Sequence, residues 1–215
     1  MRVAIAGGHG KIALRLASVL SGRGDAVLSL IRNPDHADDV RAAGGEPVIC
    51  DLEAASGAEV AEAVTGADAV VFAAGAGPGS GPARKETMDY GGAVKLIAAA
   101  KENGTGRYLM VSSMGADPDA EGDGFPVYLR AKGRADAELA ASGLDHTIVR
   151  PGRLTDDSGT GLVQLAEKVA RGEVPRDDVA AVLAACLTEP GTIGRTFELV
   201  AGDTPVEDAV RLLAA

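Results

Sequence analysis

The sequence predicts an α/β fold, a doubly wound parallel sheet in a three-layer α/β/α sandwich. Two observations predict it. Short, continuously apolar runs alternate with longer segments of helical periodicity through most of the 215 residues, the pattern of parallel strands covered on both faces. A glycine-rich turn also joins the first apolar run to the first helical one, which is how such sheets commonly begin. One domain of residues 1–215 is expected, with room for a small substrate-side cap within 152–194.

Each element follows from its local pattern. Residues 2–6 read as a first strand. A helix spans about 10–22, since Ile12, Leu16, Val19 and Leu20 recur at helical spacing. Gly24-Asp25 marks a turn before a strand at 26–31. A short helix at 35–43, a strand at 47–50, a helix at 56–64 and a strand at 68–73 follow. Residues 74–86 are rich in Gly, Pro and Ser and read as a loop. A helix at 87–102 leads to a strand at 107–112, a loop at 113–126, a helix at 127–142 and a strand at 145–150. Beyond Pro151 the spacing predicts helices at 161–170, 177–187 and 205–213, with a strand at 196–200.

Composition excludes several functions. The formal charge is −10, with no Trp, three Tyr and three Phe. Without a basic stretch or many aromatic rings, neither duplex nor single-stranded nucleic acid is an expected partner. No apolar run approaches the roughly 20 residues of a membrane helix. The apolar N-terminal run is too short for a signal-peptide core. Cys50 and Cys186 are therefore expected as free thiols of a cytoplasmic protein. His9, His36 and His146 share no metal-ligand spacing, so no metal is expected. A small molecule is the expected partner, and an Ala-rich helix face leaves monomer and homodimer both open.

The chemistry starts at Gly7-Gly8-His9-Gly10-Lys11-Ile12-Ala13. Gly7 permits the tight turn, Gly10 lets a pyrophosphate approach the backbone, and Ala13 lets helix and sheet pack closely. Gly8, His9, Lys11 and Ile12 complete the dinucleotide loop, His9 through its backbone and Lys11 through its charge. The second strand ends Arg32-Asn33-Pro34. An Arg there suits a 2′-phosphate, whereas NAD-selective sites carry an acid at this point; the sequence thus favours NADP(H), with NAD(H) the alternative. Asp51-Leu52 closes the third strand where adenine would lie. Ala73-Ala74-Gly75 closes the fourth with small residues against which a cofactor can rest.

Tyr128 and Lys132 lie four residues apart, on one face of the predicted helix. Ser112 and Ser113 end the strand before it. Carbonyl reduction by hydride transfer needs a proton donor beside the substrate oxygen. A tyrosine, with an ordinary pKa of about 10, gains from an adjacent ammonium that stabilises its phenolate. A serine hydroxyl can hold the carbonyl oxygen.

These motifs resemble the short-chain dehydrogenase/reductase superfamily, in its atypical NAD(P)H-binding branch of epimerase-like and flavin- or biliverdin-reductase-like proteins. The resemblance covers nearly the whole chain. Its most specific part is the run from Ser142 to Gly152, Ser-Gly-Leu-Asp-His-Thr-Ile-Val-Arg-Pro-Gly. It implies a Rossmann-type fold, Tyr128 as general acid/base, Lys132 as its partner and ribose contact, and Ser113 or Ser112 as the carbonyl-orienting hydroxyl. It also places Pro151, Gly152 and Arg153 near the nicotinamide. Two features depart from the superfamily. Asp89 stands where main-branch members carry an Asn of the proton relay, and only about 60 residues follow Pro151, too few to enclose a large nucleotide-sugar. The expected function is NADP(H)-dependent reduction of a small carbonyl or similar acceptor. The alternatives are an epimerase- or dehydratase-like enzyme on a small sugar, and a non-catalytic NADP(H)-sensing regulator.

Overall fold

A computed structural model of the chain describes residues 1–77 and 79–214. The first half alternates strictly: β1 (Arg2–Ala6), α1 (Lys11–Gly22), β2 (Ala26–Ile31), α2 (Ala37–Ala42), β3 (Glu46–Ile49), α3 (Gly57–Ala63) and β4 (Ala69–Phe72). Then come α4 (Gly81–Arg84), a π-helical stretch (Lys85–Gly92), α5 (Ala93–Glu102), β5 (Arg107–Val111), α6 (Phe125–Ala140) and β6 (Asp145–Pro151). The remainder holds β7 (Arg153–Thr155), β8 (Leu162–Ala166), β9 (Glu173–Pro175), α7 (Arg176–Thr188), β10 (Arg195–Ala201), β11 (Thr204–Pro205) and α8 (Val206–Ala214).

Among the described residues one sheet runs in the order β11-β8-β10-β6-β5-β4-β1-β2-β3. Pairings from β3 through to β10 are parallel, and β8 joins antiparallel to β10. β7 and β9 form a separate two-stranded ribbon. Strand order reverses between β1 and β4, so a crevice opens there beyond the carboxyl ends of the strands.

Alternation along each strand divides the core into two layers. Val3, Ile5, Val71 and Leu109 face α1 and α7 on one side of the sheet. Ala4, Val70, Phe72, Tyr108 and Met110 face α3, α5 and α6 on the other. Local signals set the helix ends. Ser56 and Glu59 form a reciprocal capping box at the start of α3, and Gly124, at φ 74°, turns the chain into α6, with Pro126 in its first turn.

The structure departs from the sequence-based expectation at three places. The helix expected over 161–170 is strand β8. Leu162, Leu165, Ala166 and Val169 fit a helical stripe, but Val163 is fully buried between exposed Leu162 and Gln164, and pairing with β10 outweighs the helical spacing. The loop expected over 74–86 gives way to helix at Gly81, because its glycines end there and α4 runs straight into the π-helical stretch. β7, β9 and β11 are too short, at three, three and two residues, to leave a periodic pattern.

Candidate functional site

The loops beyond β1, β2, β3 and β4 enclose a cleft of about 300 Å³. Gly7, Gly8, His9 and Gly10 form one wall, Leu30, Ile31 and Arg32 another, and Asp51, Leu52, Ala73, Ala74 and Gly75 line the rest. Two glycines are required here. Gly7 sits at φ +79°, and a Cβ on it would meet the Ala74 Cα at 2.7 Å. A Cβ on Gly8 would lie 2.6 Å from the Ser29 Cβ. The loop is therefore pressed against β2 and β4, its turn closed by Gly10 N–H donating to the Gly7 carbonyl at 2.7 Å. Backbone this close to the sheet leaves the start of α1 open to a phosphate, and the residues present fit a dinucleotide.

The outer end of the cleft is charged. Arg32 is exposed and 3.9 Å from Glu53. Arg84, which also lines the cleft, grips Glu53 through Nε at 3.0 Å and Nη2 at 2.8 Å, and the Thr87 hydroxyl donates to the same carboxylate at 2.7 Å. Chiefly through the Arg84 hydrogen bonds, the Glu53 carboxyl is held below its ordinary range.

A second cavity, of about 550 Å³, shares Ala73, Ala74 and Gly75 with the first. Ile12, Val111, Phe125 and Leu154 give it apolar walls, and Tyr128, Lys132, Ser112, Asp89 and Lys85 bring its polar groups. Helical spacing puts Tyr128 and Lys132 on this one face of α6, as expected. The Lys132 Nζ lies 6.0 Å from the centre of the Tyr128 ring and 5.4 Å from that of Phe72. It donates to the Val111 carbonyl at 3.1 Å and pairs with Asp89 Oδ1 at 3.4 Å. Both partners are almost wholly buried. The other Asp89 oxygen accepts from the Ala76 N–H at 3.1 Å. Asp89 thus ties the loop after β4 to α6 behind the cavity, and it comes from the π-helical stretch, a local widening frequent at functional sites.

Of the two serines, Ser112 lines the cavity; Ser113 turns away and donates weakly, at 3.3 Å, to the neighbouring Met114 carbonyl. Asp136 on α6 holds the Ser112 side chain, and no such partner draws Ser113 toward the cavity among the described residues. The Ser112 hydroxyl donates to Asp136 Oδ2 at 2.8 Å, and Arg150 Nε donates to the same oxygen at 2.9 Å. Burial pushes the Asp136 carboxyl up, against the pull of Ser112 and Arg150. Its Oδ1 is buried without a partner among the described residues.

Other expected contacts have different employment. Asn33 accepts from the Asp35 N–H at 3.1 Å and caps a 3-10 turn. The Lys11 ammonium pairs with Asp156 at 2.5 Å, and Asp156 also binds Arg176 at 2.8 Å. Arg153 is exposed and paired with Glu173. Gly152 is demanded by packing, because a Cβ there would strike the Gly172 carbonyl oxygen at 2.3 Å. Leu154, two residues on, is the part of this segment that reaches the cavity. Sequence reasoning does not single out His36, Arg84, Asp136, Lys85, Phe125 or Leu154. No spacing marks them; the topology assembles them. Among the described residues no group of His, Cys, Asp and Glu could hold a metal ion, and no helix is long and apolar enough to cross a membrane.

Comparison with known proteins agrees with this geometry. A family model described as NAD(P)H-binding matches residues 7–190. An uncharacterized sugar epimerase of Bacillus subtilis is 39% identical, covering 99% of this chain and 100% of its own. A UPF0659 protein of Saccharomyces cerevisiae is 34% identical over 99% of each. Among solved structures, a putative NAD-dependent epimerase/dehydratase from Bacillus halodurans superposes with a TM-score of 0.92 at 39% identity, covering 99% of both chains. An oxidoreductase from Lactococcus lactis does so at 0.87 and 27%, covering 99% of this chain and 96% of its own. The chain belongs to the NAD(P)H-binding family of Rossmann-fold proteins in the atypical branch of the short-chain dehydrogenases/reductases.

Proposed function

We propose that the protein is an NADP(H)-dependent oxidoreductase that reduces a small carbonyl or similar acceptor. One observation carries the reading: of its three tyrosines, Tyr128 alone faces the cavity beside the nucleotide cleft. Tyr108 is fully buried, its hydroxyl has no partner among the described residues, and burial pushes its phenol well above the ordinary range. Tyr90 lies under the Arg134 guanidinium and donates to Glu138 at 3.2 Å.

When bound, the nicotinamide supplies the hydride. The remaining work falls to side chains. Tyr128 gives its proton to the acceptor oxygen, with the Lys132 ammonium favouring the phenolate left behind. Lys132 is held for this by Val111 and Asp89. Ser112 has one proton, and Asp136 takes it, so Ser112 offers lone pairs to the cavity and holds a donor group of its ligand. Ile12, Val111 and Leu154 offer the acceptor an apolar surface. Arg32 supports NADP over NAD, since an exposed guanidinium with one distant acid is free to meet a 2′-phosphate. Free buried thiols at Cys50 and Cys186 suit a reducing compartment such as the cytoplasm.

An epimerase-like cycle on a small sugar would use the same residues. The cavity walls favour reduction of a less polar acceptor, because a sugar needs a polar partner for each hydroxyl it buries. The deciding experiment is NADPH oxidation by the wild-type chain and Tyr128→Phe against carbonyls, quinones and flavins. Turnover of a carbonyl that falls about 10²- to 10⁴-fold in Tyr128→Phe, with NADPH affinity unchanged, is expected. Unchanged turnover would remove Tyr128 from the mechanism, and silence across the panel would favour the sensor or the epimerase.

A further inference from the structure

Arg32 shares the outer end of the nucleotide cleft with two imidazoles. His9, from the glycine loop, and His36, from the 3-10 turn after β2, both line it. Their rings lie face to face, with centres 3.6 Å apart and planes within 15° of parallel. Nε2 of His9 is 2.8 Å from Asp39 Oδ2, so a carboxylate from α2 fixes that ring. His36 is half-buried and stacked, and among the described residues neither of its ring nitrogens has a hydrogen-bond partner. Its orientation is set by stacking while its hydrogen-bonding capacity stays unspent.

We infer that His36 is a specificity-determining residue for the 2′-phosphate of NADP(H). Its ring nitrogen donates to a phosphate oxygen, the His9–Asp39 pair holds the ring in place, and Arg32 supplies the cationic contact. The inference rests on the NADP reading above and adds to it a residue that the strand-end pattern does not contain. Hydrogen bonding explains the arrangement. Asp39 occupies the outer nitrogen of His9, and a phosphate monoester is the acceptor that His36 lacks among the described residues. A ribose 2′-hydroxyl carries no charge and gives His36 no comparable partner, so NADH gains little from it.

The test is fluorescence titration of the full chain with NADPH and NADH, whose reduced nicotinamide fluoresces, and isothermal titration calorimetry with 2′,5′-ADP and 5′-AMP as fragments. His36→Ala and His36→Phe should each weaken NADPH and 2′,5′-ADP about tenfold and leave NADH and 5′-AMP within about twofold. His36→Arg should restore most of the loss. The phenylalanine keeps a stacked ring and removes its nitrogens, so full affinity in that variant would overturn the proposal. A loss shared equally by NADPH and NADH would overturn it too. Arg32→Ala separates this inference from the reading beneath it. A collapse of NADPH preference in Arg32→Ala but not in the His36 variants refutes His36 alone. Equal binding of NADPH and NADH by the wild-type chain refutes both.

Discussion

Removing Asp89 should destabilise the whole fold. Its side chain is 1% exposed and that of Lys132 is 4% exposed, with 3.4 Å between Oδ1 and Nζ. The remaining ties are one hydrogen bond each, from Ala76 to Asp89 and from Lys132 to Val111. Asp89→Ala leaves the ammonium buried with only a carbonyl, and breaking one side of a buried pair costs about 3–5 kcal/mol. At about 2–4 °C per kcal/mol for a chain of this size, the midpoint of thermal unfolding should fall by roughly 6–20 °C. Asp89→Asn keeps an acceptor for Ala76 and should lose less. Pairing Asp89→Leu with Lys132→Met removes both charges together, so the double variant should be more stable than Asp89→Leu alone. Calorimetry of wild type, the two single variants and the double makes a double-mutant cycle. A fall under about 2 °C in Asp89→Ala, or strict additivity in the cycle, would show that the two charges do not depend on each other.

Three further outcomes follow from the geometry. Gly8→Ala should weaken NADPH binding and cost about 1–3 kcal/mol in urea unfolding, because its Cβ would sit 2.6 Å from Ser29; wild-type values would mean the loop is not pressed against β2. The lowered Glu53 carboxyl contributes stability that is complete above the unfolded value of about 4.3 and is lost as pH falls through the lower folded value. Glu53→Gln should therefore flatten acid unfolding below about pH 4, and an unchanged acid limb would contradict the pairing. The Cys186 thiol, pushed up to about 12 by burial, should resist a thiol reagent at pH 8 until the protein is unfolded; rapid native labelling traced to Cys186 by mass spectrometry would place it outside the core.

What the sequence makes legible is local. The glycine loop, the Arg32 turn and the Tyr128–Lys132 pair each lie within a few residues and depend on one turn or one helix face. Continuous apolar strands reveal the parallel sheet for the same reason. The contacts that define the cavity are not local. Asp89 and Lys132 are 43 positions apart in the chain, and nothing in either neighbourhood announces the other. Ser112 cannot be preferred to Ser113 without knowing that Asp136, 24 positions on, binds its hydroxyl. Residues 161–170 mislead because their apolar spacing fits helix and strand alike, and the partner that decides it, β10, lies about 30 residues further on. His36 lies in a stretch where only the Arg and Asn have a familiar role, and its stacking partner comes from the first loop.

Both borders of the sheet carry a proline on their open side. On β3, Cys50 N–H donates to the Ile31 carbonyl, so by alternation the backbone of residues 47 and 49 faces outward, and residue 47 is a proline. On β11, Val206 N–H donates to Gly161, which turns residue 205 outward, and that too is a proline. Each border thus lacks an amide hydrogen at a point where an added strand would need one, and β11 is only two residues long. A stray chain or a second molecule docking strand-to-strand would meet a gap in the ladder on either side. A small acidic protein with so open a sheet is in this way guarded against growing by its edges into aggregates, independently of anything that happens in its cleft.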